Sequence, residues 1–116
     1  MLSLIEKGGR TMPEETQKCK ITVLKRTLNQ DLAAEYLDIT GELIACDHFH
    51  EGQEFIVDHV FRMPEGFCAW AWADIRADIL TVMVGGDPPW LKQQGIQITG
   101  CTDWFRPVIF KVERIE

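Results

Sequence analysis

The chain has 116 residues, 46% of them hydrophobic, and a formal net charge of -6. That length suits one domain with a core of its own, closed without metals or disulfides. The negative charge repels a phosphate backbone or an anionic membrane surface, so neither nucleic acid nor membrane is an expected partner.

No stretch approaches the ~20 apolar residues of a membrane span, and "MLSLIEKGGR" lacks the basic lead and apolar run of a signal peptide. A cytoplasmic location is the expectation. In that reducing compartment Cys19, Cys46, Cys68 and Cys101 are expected as free thiols or ligands rather than disulfides.

Residues 1–18 hold Gly8-Gly9, Pro13 and the polar run "PEETQK" with no sustained period, which predicts a loosely ordered lead before a single α+β domain over 19–116. "CKITVLKR" alternates, with Cys19, Ile21 and Val23 on one side, as a half-buried strand over 19–26 does. "LNQDLAAEYL" reads as a short helix with Asn29 or Asp31 at its N-cap and Leu32, Tyr36 and Leu37 near one face. "GQEFIVDHVF" returns to β-branched and aromatic residues, and predicts a strand or strand pair that ends at Met63-Pro64.

After Pro64-Glu65-Gly66 comes an apolar helix of about 67–84. At 100° per residue, Cys68, Trp72, Ile75, Ile79 and Val82 share one face, and Trp70, Ala73, Ala77, Leu80 and Val84 share the opposite one. Asp74, Asp78 and Thr81 form a narrow polar seam between them. Gly85-Gly86 punctuates the helix end, and "DPPW" makes an extended turn expected to pin Trp90 against the domain. "GIQITGC" and "RPVIFKVERI" close the chain as two strands over 96–101 and 107–115, with Val108, Phe110 and Val112 facing inward. The fold class is α+β, a mixed or mainly antiparallel sheet packed against the long helix and one short helix.

Several chemistries find no support. "VGGDPPW" has no Lys-Ser/Thr pair to make a phosphate loop, and the only serine, Ser3, sits in the lead, far from any positioned base. Asp74 and Asp78, one turn apart, read as a solvated seam or as partners of Arg76 rather than as a catalytic pair. "CDHFHEGQEF" is more informative. If it is extended, Cys46, His48 and His50 project to one face and can begin a metal site, although single histidines are more often solvated than ligating. Cys68 falls at a helix N-terminus, where the dipole favours thiolate, and Cys101 at a strand end beside a turn. Packing is the plain alternative for each, since free cysteine is among the most buried residue types. Cys19 alternates with Ile21 and Val23 and belongs to the core.

These residues carry a resemblance. Cys46 before Gly52 and Phe55, Gly66 with Cys68, Gly85-Gly86 with Pro89-Trp90, and Cys101, Asp103, Pro107, Val108, Phe110 and Ile115 follow one another as in a family of small prokaryotic proteins of unknown function, which the chain resembles over about 19–116. Many chains of that pattern carry a Gly-His pair after the first cysteine, where this one has "CDHFHEG". The resemblance sets Cys46, Cys68 and Cys101 apart as its three cysteines and leaves Cys19 outside. It brings no reaction with it.

The expected function is a small cytoplasmic binding or accessory protein with a site at Cys46, Cys68, Cys101 and His48. Three thiolates and a histidine would suit zinc, and three thiolates an iron–sulfur cluster with one open position. Two alternatives stand beside it, a thiol-dependent enzyme or redox protein using Cys68 in a cleft lined by Trp70 or Trp72 and Trp104, and a homo-oligomer whose cysteines are structural. The two apolar helix faces favour a homo-oligomer, because so small a domain usually supplies one covering layer and another copy can supply the second; the plain alternative is a central helix wrapped by its own sheet. Ala77→Glu would then place an unpaired charge in the interface and split the oligomer. Light scattering should show a multiple of the chain mass for the unmodified protein and a single chain for the variant; a single chain in both contradicts the expectation.

Overall fold

Strict alternation of apolar and polar residues builds two faces from one strand, and in this chain it does so twice over a long span. The computed structural model describes residues 17–115. Of the expected lead only the last two residues fall within them, and Lys18 already opens the first strand. The elements run β1 (Lys18–Arg26), α1 (Gln30–Tyr36), β2 (Glu54–Val57), α2 (Ala69–Met83), β3 (Ile96–Gly100) and β4 (Val108–Ile115). All strand pairings are antiparallel, in the order β2-β1-β4-β3, and α2 packs on one face of the sheet. The small α+β domain read from the sequence is the fold observed. Among the described residues no helix is long and apolar enough to cross a membrane.

The long central strands carry the alternation. Cys19, Ile21 and Val23 of β1 and Val108, Phe110 and Val112 of β4 are buried beneath α2. Residues between them turn to the other face, where Lys20 bridges Glu54 (3.3 Å) and Glu113 (3.8 Å), and Lys111 bridges Glu113 (3.3 Å). Such exposed pairs contribute little each, about 0–1 kcal/mol, and serve chiefly to keep that face polar. A register slip between Val23 and Lys25 bends the end of β1. Beyond it Arg26 still pairs with Val108 and sends its side chain to the loop at 46–51.

Alanines at 69, 71, 73 and 77, with no glycine or proline, favour α2 over its 15 residues. Its two apolar faces part as the spacing requires. Ile75, Ile79 and Val82 are fully buried on the sheet and Trp72 half-buried, whereas Trp70, Ala73, Ala77, Leu80 and Val84 are exposed. Burial of each aliphatic side chain on the covered face stabilises the fold by about 1.5–3 kcal/mol. The helix ends in a Schellman turn: the Gly86 N–H donates to Thr81 O (2.8 Å) and the Gly85 N–H to Val82 O (3.2 Å), with Gly85 at φ 95°.

The polar seam of α2 corrects its sequence reading. Asp78 accepts hydrogen bonds from Thr99 Oγ1 (2.6 Å) and Gln97 Nε2 (3.4 Å), and Asp74 accepts from the Thr102 backbone N–H (2.7 Å) and Oγ1 (2.9 Å). The two carboxylates are half-buried and hydrogen-bonded, and neither is paired with Arg76. They fasten the helix to β3 and the loop beyond it, with bonds to charged acceptors worth about 1.5–3 kcal/mol each. Arg76 instead lies over the rings of Phe61 (5.5 Å) and Trp72 (5.6 Å).

Three further expectations change. β2 stops at Val57, and residues 58–63 turn away rather than continuing to Met63. α1 buries Ala33, while Leu32 and Tyr36 are exposed, and Asn29 stands at its N-cap position without a side-chain cap because its amide nitrogen donates to Trp104 O. Trp90 is 75% exposed, so the double proline does not pin it. The anchor of that turn is Asp87, which accepts from the Gly95 N–H and from Arg114 Nη2 (2.6 Å). Arg114 Nη1 in turn donates to Val82 O (2.7 Å) and Gly86 O (3.2 Å), tying β4 to the end of α2.

The Gly95 N–H, and after it Arg114, holds the Asp87 carboxyl below its ordinary pKa. A lowered carboxylate pKa gives stability that is present above the unfolded-state value and lost as the pH falls through the folded one. Asp87→Asn should therefore lower the melting temperature at neutral pH and flatten its decline on acidification. Thermal melts between about pH 7 and about pH 3 check this; parallel curves for the two proteins would show that Asp87 contributes nothing.

Candidate functional site: a three-cysteine cleft

Three segments distant in sequence end at the N-terminus of α2. The first is the loop at 46–49, which is irregular rather than extended, with Phe49 buried between exposed His48 and His50. Arg26 holds it from the end of β1: Nη1 donates to Cys46 O (2.9 Å) and Nε to Glu51 Oε1 (3.0 Å). That Arg26 hydrogen bond, with the Glu51 backbone, lowers the pKa of Glu51 and keeps its carboxylate charged for the contact. His48 Nε2 lies 3.1 Å from Gly66 O and joins this loop to the turn before the helix.

The second segment is that turn. Gly66 takes φ 84°, a left-handed conformation costly for a side-chain-bearing residue, and delivers Phe67 into the core and Cys68 to the N-cap position of α2. The Cys68 sulfur makes no capping hydrogen bond. The third segment is the β3–β4 connection. Cys101 pairs with Val108 through its backbone N–H (3.1 Å), and its sulfur accepts the Val108 N–H at 3.4 Å, which fixes the direction of the thiol. Thr102, held by Asp74, also accepts the Trp70 indole N–H (3.0 Å), so one threonine couples the loop to two positions on the helix.

Beneath these segments lies a cluster of phenylalanines. Phe49 sits 5.1 Å from Phe67, 5.3 Å from Phe110 and 5.9 Å from Phe55, between ring centroids, and Phe55 and Phe67 are 5.0 Å apart, mostly edge to face. Phe49 follows Cys46 by three residues, and Phe67 directly precedes Cys68. The rings that fill the core thus set the chain positions of two thiols.

Above the cluster is a cavity of about 520 Å³. Cys46, Cys68 and Cys101 all line it, and so does His48. All three cysteines are free and half-buried. His50 lies outside; its Nδ1 is near Glu51 O (3.3 Å). Cys19 is fully buried in the core, where burial pushes its thiol pKa up to about 12 and removes it from chemistry at neutral pH. Trp70 and Trp104 line the cavity as well, as does Arg106, which reasoning from sequence passed over because nothing local distinguishes it from a surface arginine.

Among the described residues no three His, Cys, Asp or Glu side chains are grouped closely enough to hold a metal ion. The four residues expected as ligands share a cleft and do not meet at one point. Set against family models, curated proteins and solved structures, the chain matches none.

Proposed function

We propose that the chain is a small binding protein whose functional element is the three-cysteine cleft at the N-terminus of α2. One observation carries this reading: Cys46, Cys68 and Cys101, from three segments up to 55 positions apart in the numbering, line one cavity, while the fourth cysteine is sealed in the core. Cavities of several hundred Å³ with apolar walls and a few placed polar groups are the usual form of a small-ligand site. Three thiols give such a wall soft, polarisable donors that can coordinate, contact or attack a ligand.

Zinc or an iron–sulfur cluster held by Cys46, Cys68, Cys101 and His48 would require the two flanking loops to draw together, because the donors are not grouped for an ion as they stand. Thiol chemistry at Cys68 is the second reading, favoured by its position at a helix N-terminus facing a cleft bordered by Trp70 and Trp104.

The test is thiol titration with metal analysis on anaerobically purified protein. Three thiols should react in the native state and the fourth, Cys19, only after unfolding. Prior modification of Cys68 by a bulky maleimide should slow the reaction of Cys46 and Cys101, since all three open into one space. Stoichiometric zinc or iron, with a melting temperature that falls on chelation, would place the ion in the cleft. Three thiols that react independently, with no bound species at any stage, would overturn the proposal.

A further inference from the structure

The cleft has properties that three thiols alone do not require. Trp70 and Trp104 are 68% and 66% exposed although both line the cavity, so each leaves most of an indole surface in water at its mouth. Hydrogen bonds hold the ring of one and the backbone of the other. The Trp70 ring is fixed by its N–H to Thr102 Oγ1, and the Trp104 backbone by the Asn29 amide on its carbonyl. Large aromatic faces exposed beside a cavity mark a surface made to be covered.

The charge at the cleft is equally arranged. Asp103 accepts hydrogen bonds from the Phe105 and Arg106 backbone N–H groups (3.2 and 3.1 Å) and from Arg106 Nε (3.1 Å), so both its oxygens are engaged and it forms an ion pair with Arg106. That grip holds one edge of the Arg106 guanidinium. The two Nη groups make no hydrogen bond among the described residues, which leaves a planar pair of donors suited to a carboxylate or sulfonate. The first turn of α2 adds to the same sign: Trp70 and Ala71 line the cleft, and no side chain caps the helix. Asp47, on the loop at 46–49, is the one opposing group not engaged in a hydrogen bond among the described residues.

Size separates an ion from a molecule. A zinc ion takes its ligands at about 2.3 Å from sulfur and needs no cavity, whereas about 520 Å³ is the room of a small organic compound. We infer that the cleft takes a planar organic anion, an aromatic ring stacked by Trp70 and Trp104 with its acidic group on Arg106 and its body against the three thiols. This rests on the cleft being the binding site and adds the chemical class of its ligand.

Two fluorescent probes test it on the full chain: 1-anilinonaphthalene-8-sulfonate, a planar naphthalene that carries an anionic group, and N-phenyl-1-naphthylamine, which has the same rings and no charge. The sulfonate should bind more tightly, quench tryptophan emission and slow alkylation of Cys46, Cys68 and Cys101 by iodoacetamide, site by site in mass spectra. Arg106→Gln should weaken the sulfonate about tenfold, the loss of one charge-assisted contact, and leave the neutral probe unchanged. Arg106→Lys should restore part of the loss, and Trp104→Ala should weaken both probes. Circular dichroism melts establish that each variant is folded.

Equal binding of the two probes with no effect of Arg106→Gln would overturn the inference, as would sulfonate binding that leaves the three thiols unprotected. If zinc protects the thiols and the sulfonate does not, the cleft remains the site and the ligand class is wrong. If neither protects them, the proposed function falls as well.

Discussion

The packing of Phe49, Phe55, Phe67 and Phe110 is the interaction on which the rest depends. Each ring comes from a different part of the chain: the irregular loop before β2, β2 itself, the turn before α2, and the middle of β4. With centroids 5.0–5.9 Å apart, the rings lock those parts together where the sheet meets the start of the helix. Removing a ring this size from a core costs about 3–5 kcal/mol, a large share of the 5–15 kcal/mol that stabilises a typical domain. Because Phe49 and Phe67 stand so near Cys46 and Cys68 in the sequence, the same packing that closes the core also gathers thiols above it. Fold and site share one cause.

Polar contacts finish what the rings begin. Asp74 and Asp78 each receive two hydrogen bonds from β3 or the loop that follows, and Thr102 joins Asp74 to Trp70. Arg26 does the corresponding work on the other side by gripping Cys46 O and Glu51. The cleft therefore has two walls, each fixed to a regular element by a charged group. Such support holds the walls of the cleft in shape.

Much of the fold was legible because alternation and helical spacing are local. Cys19, Ile21 and Val23, then Val108, Phe110 and Val112, announce their buried faces, and the two faces of α2 separate as 100° steps require. The readings that failed turned on pairing across the chain. Asp74 and Asp78 resemble a solvated seam until Thr99 and Thr102 are opposite them, and β2 is short because residues 58–63 turn away toward the aromatic contact with Arg76. Trp90 looked anchored by two prolines, yet the hydrogen-bonding groups there are Asp87, Gly95 and Arg114. At the site, the three cysteines were visible at the edges of elements, and His48 beside them. Phe49 and Phe67, which place two of them, were invisible as a pair because a ring's partner cannot be read from its neighbours in sequence.

The most direct test of this account is an intramolecular cross-link. Dibromobimane becomes fluorescent when both of its arms react with thiols close to one another, and peptide mapping identifies the two cysteines joined. The account predicts native cross-links among Cys46, Cys68 and Cys101, none to Cys19, and their loss when Phe49→Ala loosens the loop while circular dichroism still reports a folded chain. Three thiols that each accept a single arm and never cross-link in the native protein would contradict it.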